Sequence, residues 1–63
     1  GLYMYLTNNL STINNALEIG AVEKFSGSQV YALPENVQIN DYSHILFYCK
    51  PFRVSVGTGE FLP

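Results

Sequence analysis

Two apolar runs, His44-Ile45-Leu46-Phe47-Tyr48-Cys49 and Phe52-Arg53-Val54-Ser55-Val56-Gly57, are separated only by Lys50-Pro51. A parallel crossover takes roughly a dozen residues or more, so the two runs must pair antiparallel. The first run is almost continuously apolar, which predicts burial on both faces, as in a central strand. Ile45, Phe47 and Cys49 share one of its faces, and His44, Leu46 and Tyr48 share the other. The second run alternates, which predicts Phe52, Val54 and Val56 pointing inward and Arg53 and Ser55 facing solvent. The fold class that follows is all-β: an antiparallel sheet or a β-sandwich.

The rest of the chain fits that class. Leu2-Tyr3-Met4-Tyr5-Leu6-Thr7 alternates as a strand, with Leu2, Met4 and Leu6 on one face and Tyr3, Tyr5 and Thr7 on the other. Leu10, Ile13, Ala16 and Leu17 have helical spacing. Asn8, Asn9, Asn14 and Asn15 favour loops over helix interiors, so the stretch from Leu10 to Ile19 reads as a loop with at most a turn or two of helix. Ala21 to Phe25 and Gln29 to Leu33 read as the arms of a hairpin around Ser26-Gly27-Ser28, ended by Pro34. Glu35 to Asp41 reads as a connecting loop.

At 63 residues the chain is one domain at most, with a marginal core. Small domains often add disulfides or a metal. A lone cysteine allows no internal disulfide, and one Cys with one His falls short of a structural zinc site, so no metal is expected. Apolar and aromatic burial must supply the stability. The net charge is −2, with Lys24, Lys50 and Arg53 as the cations. They form no basic patch able to displace counterions from phosphates, which excludes nucleic acid as a partner. No apolar run reaches the roughly 20 residues that cross a bilayer as a helix, and no stretch has the pattern of a signal peptide.

Cys49 is the residue of greatest chemical interest. A free cysteine commonly behaves as a small buried hydrophobe, and its shared face with Ile45 and Phe47 suits that role. A reactive thiol needs a nearby cation or helix N-terminus. Lys50 is adjacent in sequence but points to the opposite face of a strand. His44 also faces away from Cys49, so the two cannot ligate one metal without a bulge, and a structural role suits His44 better. Asp41, Ser43 and His44 carry the letters of a hydrolase triad. As close neighbours in sequence they lack the assembly and oxyanion hole that a triad requires. Tyr3, Tyr5, Tyr31, Tyr42 and Tyr48 could relay electrons or stack on a ligand, but tyrosine is also simply a good strand former. Asn9-Leu10-Ser11 is a glycosylation sequon of a kind common by chance.

The segment from Tyr42 to Gly57 resembles the closing half of the DM-thirteen, or electron-transfer DM, family: an apolar strand ending in an aromatic residue and Cys, a short polar step, Phe, and a second apolar strand. Gly27-Ser28-Gln29-Val30-Tyr31-Ala32-Leu33-Pro34 is similar to that family's Gly-x-Gln-x-Tyr-x-Leu-Pro segment. Leu2-Tyr3-Met4-Tyr5-Leu6 is similar to its aromatic-apolar strand. The pieces fall in the family's order across nearly the whole chain. The stretch from Thr58 to Leu62 departs from the family's closing pattern.

The resemblance implies an all-β redox accessory module, rather than an enzyme in its own right. It implies an extracytoplasmic setting: secreted, periplasmic, lipoprotein-anchored or otherwise on the cell surface. The family cysteine is proposed to act as a bare thiol or to hold a prosthetic group such as haem, which makes Cys49, with Tyr48 before it, the candidate site. The alternative is a non-catalytic binding or adhesion module in which Cys49 is core packing. An exposed thiol favours the first and a fully buried one the second. Family domains carry strands ahead of the Leu2–Leu6 segment, so residues 1–63 are expected to form part of a domain, completed by a homo-oligomer or by further strands of the same protein. A redox or cell-surface protein is the expected partner.

Overall fold

A computed structural model describes residues 1–24 and 27–61. The described chain forms strands β1 (Leu2–Thr7), β2 (Leu17–Ala21), β3 (His44–Cys49) and β4 (Val54–Glu60), with a 3-10 turn at Ile39–Asp41. These strands make one four-stranded sheet in the order β2-β1-β3-β4, antiparallel throughout. The all-β antiparallel expectation therefore holds, as a single sheet.

β1 and β3 are the central strands. Their register sets Leu2 opposite Cys49, Met4 opposite Phe47 and Leu6 opposite Ile45 on one face. Tyr3 opposite Tyr48, Tyr5 opposite Leu46 and Thr7 opposite His44 occupy the other. Met4, Tyr5, Leu6 and Leu46 form the buried apolar core. Both faces of β1 are thus covered, and its alternation separates two packed surfaces rather than core from solvent.

Side-chain turns at Asn9 and Thr12 hold the loop after β1. Asn9 Oδ1 accepts from the Ser11 amide at 2.9 Å, and Thr12 Oγ1 accepts from the Asn14 amide at 3.0 Å. Asn15 adopts φ 67°. Each of these gives the backbone an alternative to helical bonding. Asn8 ties this end of β1 to the start of β3: its amide donates to the Asp41 carbonyl at 2.9 Å and its Oδ1 accepts from the Ser43 amide at 2.8 Å.

The expected hairpin from Ala21 to Leu33 does not form. The strand lies earlier, at Leu17–Ala21, where Leu17, Glu18, Gly20 and Ala21 pair with β1 around a bulge at Ile19. Helical spacing of Leu10, Ile13, Ala16 and Leu17 hides this alternation in the sequence. Beyond Ala21 one side chain does the work of a second arm. Gln29 Oε1 accepts from the Glu23 and Lys24 amides at 2.9 and 3.1 Å, and its Nε2 donates to the Ala21 carbonyl at 3.1 Å. Tyr31 packs over Gly20 with its ring 3.8 Å from where a Cβ would sit. The turn at Ser26-Gly27-Ser28 falls partly outside the described residues; Gly27 has the expected positive φ, 80°.

The β3–β4 pairing forms as expected, but Phe52, Val54 and Val56 do not point into a core. They are 78%, 47% and 57% exposed. Phe52 lies in the Lys50–Arg53 turn, where the Arg53 amide donates to the Lys50 carbonyl at 3.2 Å. β4 is an edge strand, and a bulge opposite Phe47/Tyr48 breaks its alternation.

Candidate functional site

Cys49 ends β3 and is half-buried, with Leu2 and Val54 as its cross-strand neighbours. Tyr48, one residue earlier, faces the opposite side of the sheet. Its ring meets Tyr5 edge-to-face at a centroid separation of 6.0 Å and 85° between planes. The two candidate residues therefore belong to different surfaces, one apolar and one rich in tyrosine.

The tyrosine surface also takes Lys50. Its Nζ sits 4.0 Å from the Tyr3 ring centroid and ion-pairs with Glu18. The hydrogen bond with Glu18 raises the Lys50 pKa, and the same bond lowers that of the Glu18 carboxyl. Tyr5 donates to Glu18 Oε1 at 3.1 Å. Burial, followed by that bond to a carboxylate, raises the Tyr5 pKa above 10.0. Lys50 is thus turned away from Cys49, as strand parity predicts, and its charge is engaged by Glu18 and Tyr3. Glu18 is the one member of this cluster that sequence reasoning missed. The Leu17-Glu18-Ile19 alternation was the signal that would have placed it on a strand beside Tyr5.

His44 lies at the other end of β3. Its Nδ1 is 2.7 Å from Ser43 Oγ and its Nε2 is 3.7 Å from Glu60 Oε2. Asp41 takes no part in this string of side chains; its backbone carbonyl binds Asn8. Among the described residues no three His, Cys, Asp or Glu side chains gather where they could hold a metal ion. Among the described residues no helix is long and apolar enough to cross a membrane, which leaves membrane-spanning strands aside.

On the Cys49 side of the sheet, Leu2, Val22, Phe47 and Val56 line a shallow recess of about 220 Å³, with Lys24 and Gly57 beside it. Gly57 borders it, with the Phe47 ring 3.6 Å from its Cβ position, an ordinary packing distance. The family model for Electron transfer DM13 matches residues 3–61, nearly all of the chain. This chain belongs to that family. No curated protein and no solved structure matches it. A haem, the group implied by the family resemblance, does not fit the residues present. A shallow recess of about 220 Å³ is too small to enclose a macrocycle the size of a haem. Cys49 does not line it, and His44 lies on the opposite face at the far end of the strand.

Proposed function

We propose that this DM13 domain is an extracytoplasmic electron-transfer module in which the Cys49 thiol is the redox group. One observation carries the reading: Cys49 is half-buried at the end of a central strand rather than enclosed in the core formed by Met4, Tyr5, Leu6 and Leu46. The reaction that suits a single thiol is exchange with a partner's disulfide. The Cys49 thiolate attacks one sulfur, a new S–S bond joins the two molecules, and the other sulfur leaves as a thiolate that takes up a proton. The partner's disulfide is the oxidant, and the incoming two electrons reside on the departing thiol. The apolar residues around Cys49, Leu2 and the exposed Val54 and Val56, supply the surface on which such a redox protein would dock.

A second copy of the chain is the partner we propose for the open edge of β4, whose outer backbone groups have no neighbouring strand among the described residues. The adhesion reading, in which Cys49 only fills space, draws on the same exposed valines. Electron transfer by the full-length protein separates the two. Cys49→Ser abolishes it if the thiol is the redox group. Intact transfer in a folded Cys49→Ser protein would leave the module as a binding surface alone.

A further inference from the structure

The face opposite Cys49 carries a second cleft, of about 250 Å³, between the loop after β1 and the β3–β4 hairpin. Ile13 and Leu46 give it an apolar floor, Thr12, Tyr48 and Ser55 bring hydroxyls, and Arg53 stands at its rim. We propose that this cleft binds a small organic carboxylate, with Arg53 receiving the carboxylate group.

The backbone at Arg53 is the first observation. Its φ is 55°, in the left-handed region that an L side chain enters only at a cost and that glycine enters freely. The residue closes the Lys50–Arg53 turn, a position where glycine would serve the hairpin better. Backbone strain of this kind collects at ligand sites, which directs attention to the Arg53 side chain.

Charge is the second observation. Of the acidic side chains, Glu18 is engaged by Lys50 and Glu60 by His44; no carboxylate pairs with Arg53 among the described residues. The Tyr48 and Ser55 hydroxyls make no hydrogen bond to protein within the described residues, and the Tyr5 ring fixes the Tyr48 ring by its edge-to-face contact. The cleft thus offers a planar cation and free hydroxyls above an apolar floor.

Those features select the ligand class. Guanidinium matches a carboxylate with two parallel hydrogen bonds. One cation in a chain of net charge −2 suits a single negative charge better than a phosphate ester or nucleotide. The buried Leu46 floor favours a compact apolar body, and the volume fits an acid of benzoate size. The cleft lies across the sheet from Cys49, so this inference stands or falls separately from the redox reading.

The test is a nuclear magnetic resonance titration of the 63-residue chain with benzoate, with benzyl alcohol as the neutral match and sulfate as the inorganic anion. We expect saturable shifts at Thr12, Tyr48, Arg53 and Ser55 with benzoate and none with the other two. Arg53→Gly should weaken benzoate by about tenfold or more, the loss of one charge-assisted pair. Its urea midpoint should stay level or rise, because glycine relieves the turn. Arg53→Lys should fall between the two. Absence of saturable shifts with benzoate, equal binding of sulfate or benzyl alcohol, or undiminished binding by Arg53→Gly would each overturn the proposal.

Discussion

Leu6→Ala and Phe52→Ala form a pair of perturbations that the strand alternation and the folded chain rank in opposite order. Alternation makes Phe52 an inward residue, so removing its ring should be at least as damaging as trimming a leucine. In the sheet, Leu6 is 1% exposed between Ile45 and Leu17, whereas Phe52 is 78% exposed on a turn. Removing a fully buried leucine costs about 2–5 kcal/mol, the transfer term plus the cavity left behind. A chain of 63 residues has a total stability of about 3–9 kcal/mol at the usual stability per residue. Leu6→Ala therefore removes between a quarter of the stability and all of it. Each lost kcal/mol lowers Tm by about 4–8 °C in a domain of this size. Phe52 keeps only roughly a fifth of its surface from water, so of the about 1.5–3 kcal/mol that full burial brings it retains about 0.3–0.6. Urea unfolding followed by far-ultraviolet circular dichroism and tyrosine fluorescence measures both. A loss of more than about 2 kcal/mol for Phe52→Ala, well above the range of ordinary surface changes, would refute the placement of Phe52 on a turn with its ring open to solvent.

Other consequences are as direct. Asn8→Ala should cost about 1–2 kcal/mol in the same unfolding assay, because two hydrogen bonds that fix the entry to β3 disappear together; Asn8→Asp, which keeps the acceptor for Ser43, should cost less. Burial and the Glu18 hydrogen bond raise the Tyr5 pKa, so the contribution of this pair is present below pH 10.0 and is lost as pH rises through the higher folded value. An ultraviolet phenolate titration should show a late component that Tyr5→Phe removes. If β4 self-associates, sedimentation should give a concentration-dependent dimer, and Val56→Lys should shift it toward monomer by placing a charge on the open edge.

The two central strands were legible because each is a compact apolar run ended by turn residues, Asn8-Asn9 after β1 and Lys50-Pro51 after β3. The bounds of β2 were not. Leu17 also continues the helical spacing of Leu10, Ile13 and Ala16, and only the side-chain turns of Asn9 and Thr12 settle the choice. The Gln29 clamp was hidden for another reason: a side chain that replaces a strand leaves no periodic signal. Parity correctly separated Lys50 and His44 from Cys49. It failed on β4, because a bulge shifts alternation by a residue and an edge strand has no second layer to bury its valines. Arg53 carries no mark in the sequence, since its unusual φ comes from the turn that closes the hairpin.

The most direct test of the central claim is the rate at which Cys49 forms a mixed disulfide with glutathione disulfide, read by intact mass in the folded chain and in the same chain unfolded by urea, with the reagent checked against a free thiol in each solvent. The folded state holds the thiol half-buried beside Leu2 and Val54. If Cys49 is the redox group, the folded chain should react to completion at one thiol per molecule, with no more than a modest loss of corrected rate against the unfolded chain, because half-burial leaves the thiol within reach. A folded rate lower by about a hundredfold or more would mean that exchange waits on opening of the sheet, at a cost near 2.7 kcal/mol, and would contradict the redox role.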